Sequence, residues 1–138
     1  MKLLFVGGTG IISSACAELA AARGHELFIL NRSISMKHPL PDGVTLLKGD
    51  VHADEAHLAS LMADHHFDAI VDYIAFTPND IERDLRLFRD RTGQFVFISS
   101  ASAYQKPVKN YLITEETPLE NPYWEYSRNK IACEDLLM

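Results

Sequence analysis

Short, uninterrupted apolar runs recur along the chain at "KLLFV", "ELFIL", "VTLL", "AIVDYI" and "QFVFI", beginning at Lys2, Glu26, Val44, Ala69 and Gln94. A strand with one solvated face alternates apolar and polar positions, so continuous runs predict strands buried on both faces. Helical spacing lies between them. Ile12, Cys16, Leu19 and Ala20 repeat on one face and stop at Gly24, a residue suited to the left-handed cap after a helix. Leu58, Leu61 and Met62 mark a second helix. A third starts with Thr77 as N-cap, Pro78 in the first helical position and Asp80 near the positive helix end, with Ile81, Leu85 and Phe88 expected inward. Alternating strands and helices with short connections predict an α/β fold, a doubly wound parallel sheet with helices on both faces. The exception is Ala103 to Pro122, a long irregular stretch containing Pro107, Pro118 and Pro122, and long ordered loops are more often functional than decorative. No repeat, low-complexity tract or internal linker interrupts the chain, so residues 1–138 read as one domain.

Charge narrows the partners. Thirteen basic against 19 acidic residues give a net charge of −6, which argues against a general nucleic-acid or anionic-membrane surface, since either needs clustered Lys and Arg. Cys16 and Cys133 lie far apart with no Cys-x-x-Cys spacing, pointing to neither a disulfide framework nor a thiolate zinc site, and a reducing cytoplasm is the expected location. The N-terminal "LLFV" is too short for a signal peptide's apolar region or a membrane span.

The chemistry starts directly after the first apolar run, at "GGTGIIS". Gly7 and Gly10 fall in the turn leading into the first helix, where a backbone without side chains can approach a pyrophosphate closely. The unpaired N–H groups at the helix start, those of Ile11 and Ile12 among them, attract its oxygens. A tight turn alone is the competing reading, but the place between strand and helix predicts the dinucleotide-binding turn of a Rossmann fold, with Ser13 where a third glycine often stands. Serine is small enough for close packing, and its hydroxyl can bond a carbonyl or a phosphate. After the second strand the chain offers "NRS" instead of the acid that commonly holds an adenosine ribose. Asn31 is neutral, Arg32 has a donor fork suited to a 2′-phosphate and Ser33 can add a bond, so NADP is favoured with NAD as the other option. Asp50 and Val51, after the third strand, are further cofactor candidates, with helix capping or a turn as the competing reading of Asp50.

Tyr126 and Lys130 are four residues apart, which in a helix stacks them on one face. A free phenol ionises near pH 10, so it serves as a base at neutral pH only where a cation stabilises the phenolate, and Lys130 can supply that charge. The fifth strand adds Ser99, Ser100 and Ser102 at its carboxyl end, the edge at which ligands of open α/β sheets collect.

Together, "GGTGIIS", "GDV", "FVFISSASAY" and "ITEETPLENPYWEYSRNK" span essentially the whole chain, and in that order they resemble the extended short-chain dehydrogenase/reductase family, the group of nucleotide-sugar epimerases and dehydratases. The resemblance implies a catalytic set of Ser100, Tyr126 and Lys130, with Ser102 a neighbouring alternative to Ser100, and implies that Tyr126 and Lys130 also contact the cofactor. It implies hydride transfer at a hydroxyl-bearing carbon of a sugar or nucleotide sugar, leading to epimerisation, dehydration, or net oxidation or reduction. "DYIAF" stands where the family more usually has an Asn-containing segment. In that family the substrate is gripped largely by segments beyond this helix, so the chain reads as the N-terminal cofactor-binding part of a longer enzyme. The sheet edge and apolar helix faces left uncovered point to a homodimer. Two alternatives keep the fold without the activity: a silent dinucleotide-binding relative, and an RNA-binding one, since "ILNRS" and "FVFISSA" look similar to chloroplast stem-loop-binding proteins. The first usually lacks the Tyr and Lys, and the second wants a basic face that the net charge does not promise. No metal site is read in the stretch containing His52, His57, His65 and His66, which does not place two histidines on one helical face.

Overall fold

The computed structural model describes residues 1–32 and 38–138. All five apolar runs form strands: β1 (Lys2–Val6), β2 (Glu26–Asn31), β3 (Thr45–Lys48), β4 (Ala69–Asp72) and β5 (Phe95–Phe97). They pair in parallel in the order β3-β2-β1-β4-β5. The chain winds outward from β1 through β2 to β3, returns across it to β4 and continues to β5, which is the doubly wound α/β Rossmann arrangement. The switch point lies at the carboxyl ends of β1 and β4, where Val6 pairs with Asp72. Among the described residues four α-helices accompany the sheet: α1 (Ile11–Ala22), α2 (Glu55–Leu61), α3 (Pro78–Phe88) and α4 (Glu125–Leu137). Among the described residues no helix is long and apolar enough to cross a membrane.

Two compact units divide the chain, one of Met1–Ile74 with Asp84–Ile98 and the other of Ala75–Arg83 with Ser99–Met138. The first holds the whole sheet with α1 and α2. The second holds the start of α3, a short 3₁₀ turn at Ala101–Ala103 and α4.

Period-two alternation sends each strand's side chains to opposite faces of the sheet. On one face Leu4, Val6, Phe28 and Leu30 pack with Leu58, Met62, Leu87 and Phe88; on the other, Phe5, Leu27 and Ile29 pack with Ala17 and Ala20. Burying each Leu, Ile or Phe stabilises by roughly 1.5–3 kcal/mol, so these two layers fix α1 and α2 to the sheet. α2 begins at Asp54, whose carboxylate accepts from the His57 N–H at 2.9 Å.

Two helices are rotated from the faces their apolar residues predict. In α1 the buried positions are Ser13, Ala17 and Ala20, while Ile12 and Leu19, expected inward, are exposed. Small side chains let the helix lie close to the sheet, and a bulky residue at that contact would hold it away. In α3, Ile81 and Phe88 are buried as expected, but Leu85 is exposed and Asp84 and Leu87 complete the stripe. The start of α3 also caps differently. Thr77 takes the N-cap place, but the capping acceptor is Asp80, whose Oδ2 accepts from the N–H groups of Phe76 and Thr77 and from the Thr77 hydroxyl, each at 2.9 Å.

Candidate functional site

In the first unit, Gly7 ends β1 with φ +81°, and its N–H donates to the Leu30 carbonyl at 3.0 Å. A Cβ there would lie 2.4 Å from Cγ2 of Ile74, so both conformation and space exclude a side chain and the turn presents bare main chain. Ser13 staples the turn: its hydroxyl accepts from the Gly10 N–H at 2.8 Å and donates to the Gly7 carbonyl at 2.9 Å. The Gly10 N–H is thereby occupied, whereas Ile11 and Ile12 open α1, where N–H groups have no intrahelical partner. Their side chains are 81% and 66% exposed. No acidic residue sits in the first turn to offset the helix's positive end. A cradle that a Cβ would fill, beside exposed N–H donors, fits the phosphates of a dinucleotide.

Around the ends of β2 and β3 the candidates are already engaged. The Asn31 amide makes a long 3.5 Å contact to the Thr9 hydroxyl, joining the strand end to the glycine turn. Arg32 lies 3.8 Å from the Asp50 carboxylate, and Asp50 also accepts from the His52 N–H at 2.9 Å. Asp50 therefore serves the local turn as well as pairing with Arg32. Val51 is buried in the core, leaving Asp50 as the member of that pair with an accessible side chain. Ser33 lies outside the described residues.

The second unit brings Tyr126 and Lys130 together on α4. Lys130 is 1% exposed; its ammonium donates to the Ala75 carbonyl at 2.7 Å and stands 5.0 Å from the Phe76 ring centre and 5.7 Å from that of Tyr126. Trp124 and Phe76 flank the Tyr126 ring at 4.9 and 6.2 Å. Ser100 precedes the 3₁₀ turn, and its hydroxyl lies 2.8 Å from that of Ser102. Ser99 is drawn elsewhere: its hydroxyl donates to the Glu134 carboxylate, fastening the segment after β5 to α4. In the first unit another phenol, Tyr73, packs edge-on against Phe5, and burial together with a hydrogen bond to Cys16 pushes its ionisation far above the ordinary range. Its surroundings thus disfavour the phenolate, in contrast to a phenol beside a cation.

Sequence reasoning missed the polar groups behind Ser100. Ser127 and Asn121 are buried and hydrogen-bonded to Ser102, at 2.8 Å between the hydroxyls and 2.8 Å from the Asn121 amide to the Ser102 carbonyl. The local signal was the Asn-Pro pair at Asn121, a common turn former whose side chain bonds nearby main chain, as it does here to the Tyr123 N–H at 3.1 Å. Among the described residues no group of three or more His, Cys, Asp or Glu is placed to hold a metal.

A sequence model of the NAD dependent epimerase/dehydratase family matches residues 3–138. The UDP-glucose 4-epimerase of Lactobacillus helveticus is 26% identical, with 99% of this chain aligned to 46% of that protein. An isoflavone reductase homologue of Nicotiana glauca is 36% identical over 44% of this chain and 22% of its own length. Among solved structures, the UDP-glucose 4-epimerase of Brucella ovis in complex with NAD superposes with a TM-score of 0.83 at 24% identity, over 99% of this chain and 46% of that one. The Bifidobacterium longum enzyme in complex with NAD+ and UDP gives 0.81 at 21% identity, over 99% and 48%. The chain spans about half the length of these three epimerases.

Proposed function

Because the chain belongs to the NAD dependent epimerase/dehydratase family, we propose that it binds a nicotinamide dinucleotide at the glycine turn and carries the proton-transfer groups for chemistry at a nucleotide-sugar hydroxyl. The observation that carries this reading is the placement of a buried ammonium, Lys130, 5.7 Å from the ring of Tyr126 on one face of α4. A fixed positive charge favours negative charge developing on the phenol oxygen as a proton moves. When bound, the dinucleotide supplies the hydride chemistry. This chain's own residues handle the proton: Tyr126 takes it from the substrate hydroxyl as a carbonyl forms and returns it when that carbonyl is reduced, while Ser100 bonds the same oxygen. Which face of that carbonyl is reduced would decide between the epimer and the starting sugar.

Binding falls to the N–H groups of Ile11 and Ile12 for the pyrophosphate, with Gly7 and Gly10 shaping the turn, and to Asn31, Arg32 and Asp50 for the adenosine end. Arg32 is the reason to expect NADP. Its Asp50 neighbour argues the other way, because a 2′-phosphate beside that guanidinium meets a like charge within the same group. The solved relatives hold NAD, and NAD is the cofactor we assign. Calorimetric titration with NAD, NADH, NADP and NADPH tests both points, and absence of binding by all four would falsify the proposal. For the chemistry, Tyr126→Phe in a full-length version abolishes turnover of a UDP-hexose while leaving dinucleotide affinity nearly intact, and retained turnover removes Tyr126 from the mechanism.

A further inference from the structure

We infer that Asn121, through Ser127 and Ser102, sets the direction of a one-way hydroxyl chain that leaves the Ser100 hydroxyl proton pointing outward, as a donor to the substrate oxygen. The inference rests on the proposed role of Ser100 and assigns its polarity and the residues that impose it.

The direction is read from one end. Asn121 Oδ1 accepts from the Tyr123 N–H at 3.1 Å, and its Nδ2 faces the Ser102 carbonyl oxygen at 2.8 Å. A flipped amide would set donor against donor at Tyr123 and acceptor against acceptor at Ser102, so the orientation is fixed twice. The amide nitrogen also donates to the Ser127 oxygen at 3.2 Å. Ser127 must therefore turn its own proton elsewhere, and it donates to the Ser102 hydroxyl at 2.8 Å. Ser102, accepting that bond, has its proton free for Ser100 at 2.8 Å. Ser100 accepts a second bond from the Ser102 N–H at 3.2 Å.

The Ser102 N–H fills one acceptor position of Ser100, and in the inferred direction the Ser102 hydroxyl proton fills the other, which turns the Ser100 proton away from the chain. Asn121 is 7% exposed and Ser127 fully buried, so water does not readily substitute for either link. Ser100 itself is only partly buried. The same logic separates the two serines: the Ser102 proton is committed to Ser100, and Ser100 is the terminal donor. A preset donor stabilises negative charge on an oxygen that is becoming, or has just been, a carbonyl. Asn121, Ser127 and Ser102 are in this sense positioning residues.

Neutron diffraction from deuterated crystals of the protein reads the direction without any turnover. The expected map shows deuterium on Ser127 toward Ser102, on Ser102 toward Ser100, and on Ser100 pointing away from Ser102. Deuterium of Ser100 lying on the line to Ser102 overturns the inference. Kinetics supply an independent arm. Asn121→Asp leaves no donor for Ser127, so the chain reverses and draws the Ser100 proton inward, and kcat falls by on the order of 100-fold, the scale of a lost oxyanion donor, with KM little changed. Ser127→Ala frees the chain to point either way and lowers kcat by only about three- to tenfold. If Asn121→Asp does not fold, Ser127→Ala and the neutron map still decide. Equal effects of the two variants, or wild-type kcat in Asn121→Asp, sink the inference. Full turnover by Ser100→Ala with the expected deuterium positions instead overturns the functional reading of Ser100 and leaves the direction of the chain standing.

Discussion

The ammonium of Lys130 donates to the carbonyl oxygen of Ala75 at 2.7 Å, which holds that side chain inside the second unit instead of in solvent. Burying that charge costs stability, and the carbonyl and aromatic faces offset only part of it. Lys130→Met removes the charge while keeping much of the volume. Denaturant unfolding is expected to place this variant within about 1.5 kcal/mol of the parent or above it, with turnover lost. Loss of several kcal/mol instead would make the ammonium a structural necessity.

Gly7 offers a two-part test in the first unit. Gly7→Ala meets Ile74 Cγ2 and also has to hold φ +81°. The double variant Gly7→Ala/Ile74→Ala relieves the clash but not the backbone strain, worth about 1–2 kcal/mol. Thermal unfolding should therefore show only partial recovery of the Gly7→Ala loss relative to Ile74→Ala alone. Complete recovery would mean that space, not conformation, dictates glycine there.

Ser13 joins Gly7 and Gly10 through one hydroxyl and is buried. Ser13→Ala leaves the Gly10 N–H without its partner at a close contact, while the Gly7 carbonyl keeps the Thr9 N–H at 2.9 Å, for an expected loss of about 1–3 kcal/mol. Weaker NAD binding should accompany it, because the turn is no longer pinned. Unchanged stability together with unchanged affinity contradicts the stapling role.

Asp80 sets an acid limb to stability. Burial by itself raises its carboxyl, but the Phe76 and Thr77 N–H groups, the Thr77 hydroxyl and the Arg83 guanidinium at 2.9 Å outweigh that and hold it below the ordinary carboxylate range. Its native ionisation lies below the unfolded value near 3.9, so its contribution is fully present above about pH 4 and is lost as pH falls through the native value. Asp80→Asn should destabilise at pH 7, and its gap from the parent should narrow as the pH drops below about 4. A gap independent of pH between 7 and 2 would show that the carboxylate's charge does not matter.

Much of the fold was written in local pattern. β1 coincides with "KLLFV" residue for residue, because a strand buried on both faces is apolar through its buried part, here Leu4 to Val6, and the glycine turn needs a residue tolerant of φ +81° at Gly7. Lys130 could be placed near Tyr126 from a spacing of four, since a helix makes those positions neighbours. The face of α1 could not be read this way. Apolarity favoured Ile12 and Leu19, but the sheet accepted Ser13, Ala17 and Ala20, and closeness of approach is set by what lies opposite.

Residue types and spacings thus determined the strands, the glycine turn and the Tyr126 and Lys130 pair, because each depends on neighbours a few positions apart. Only tertiary structure decided that Lys130 is sheltered by Ala75, that Arg32 is shared with Asp50, and that Asn121 reaches Ser102 and Ser127. Those contacts join residues from 6 to 55 positions apart in sequence. A hydrogen bond or an ion pair is a matter of ångströms in space, and no periodicity along the chain encodes which distant group arrives within that reach.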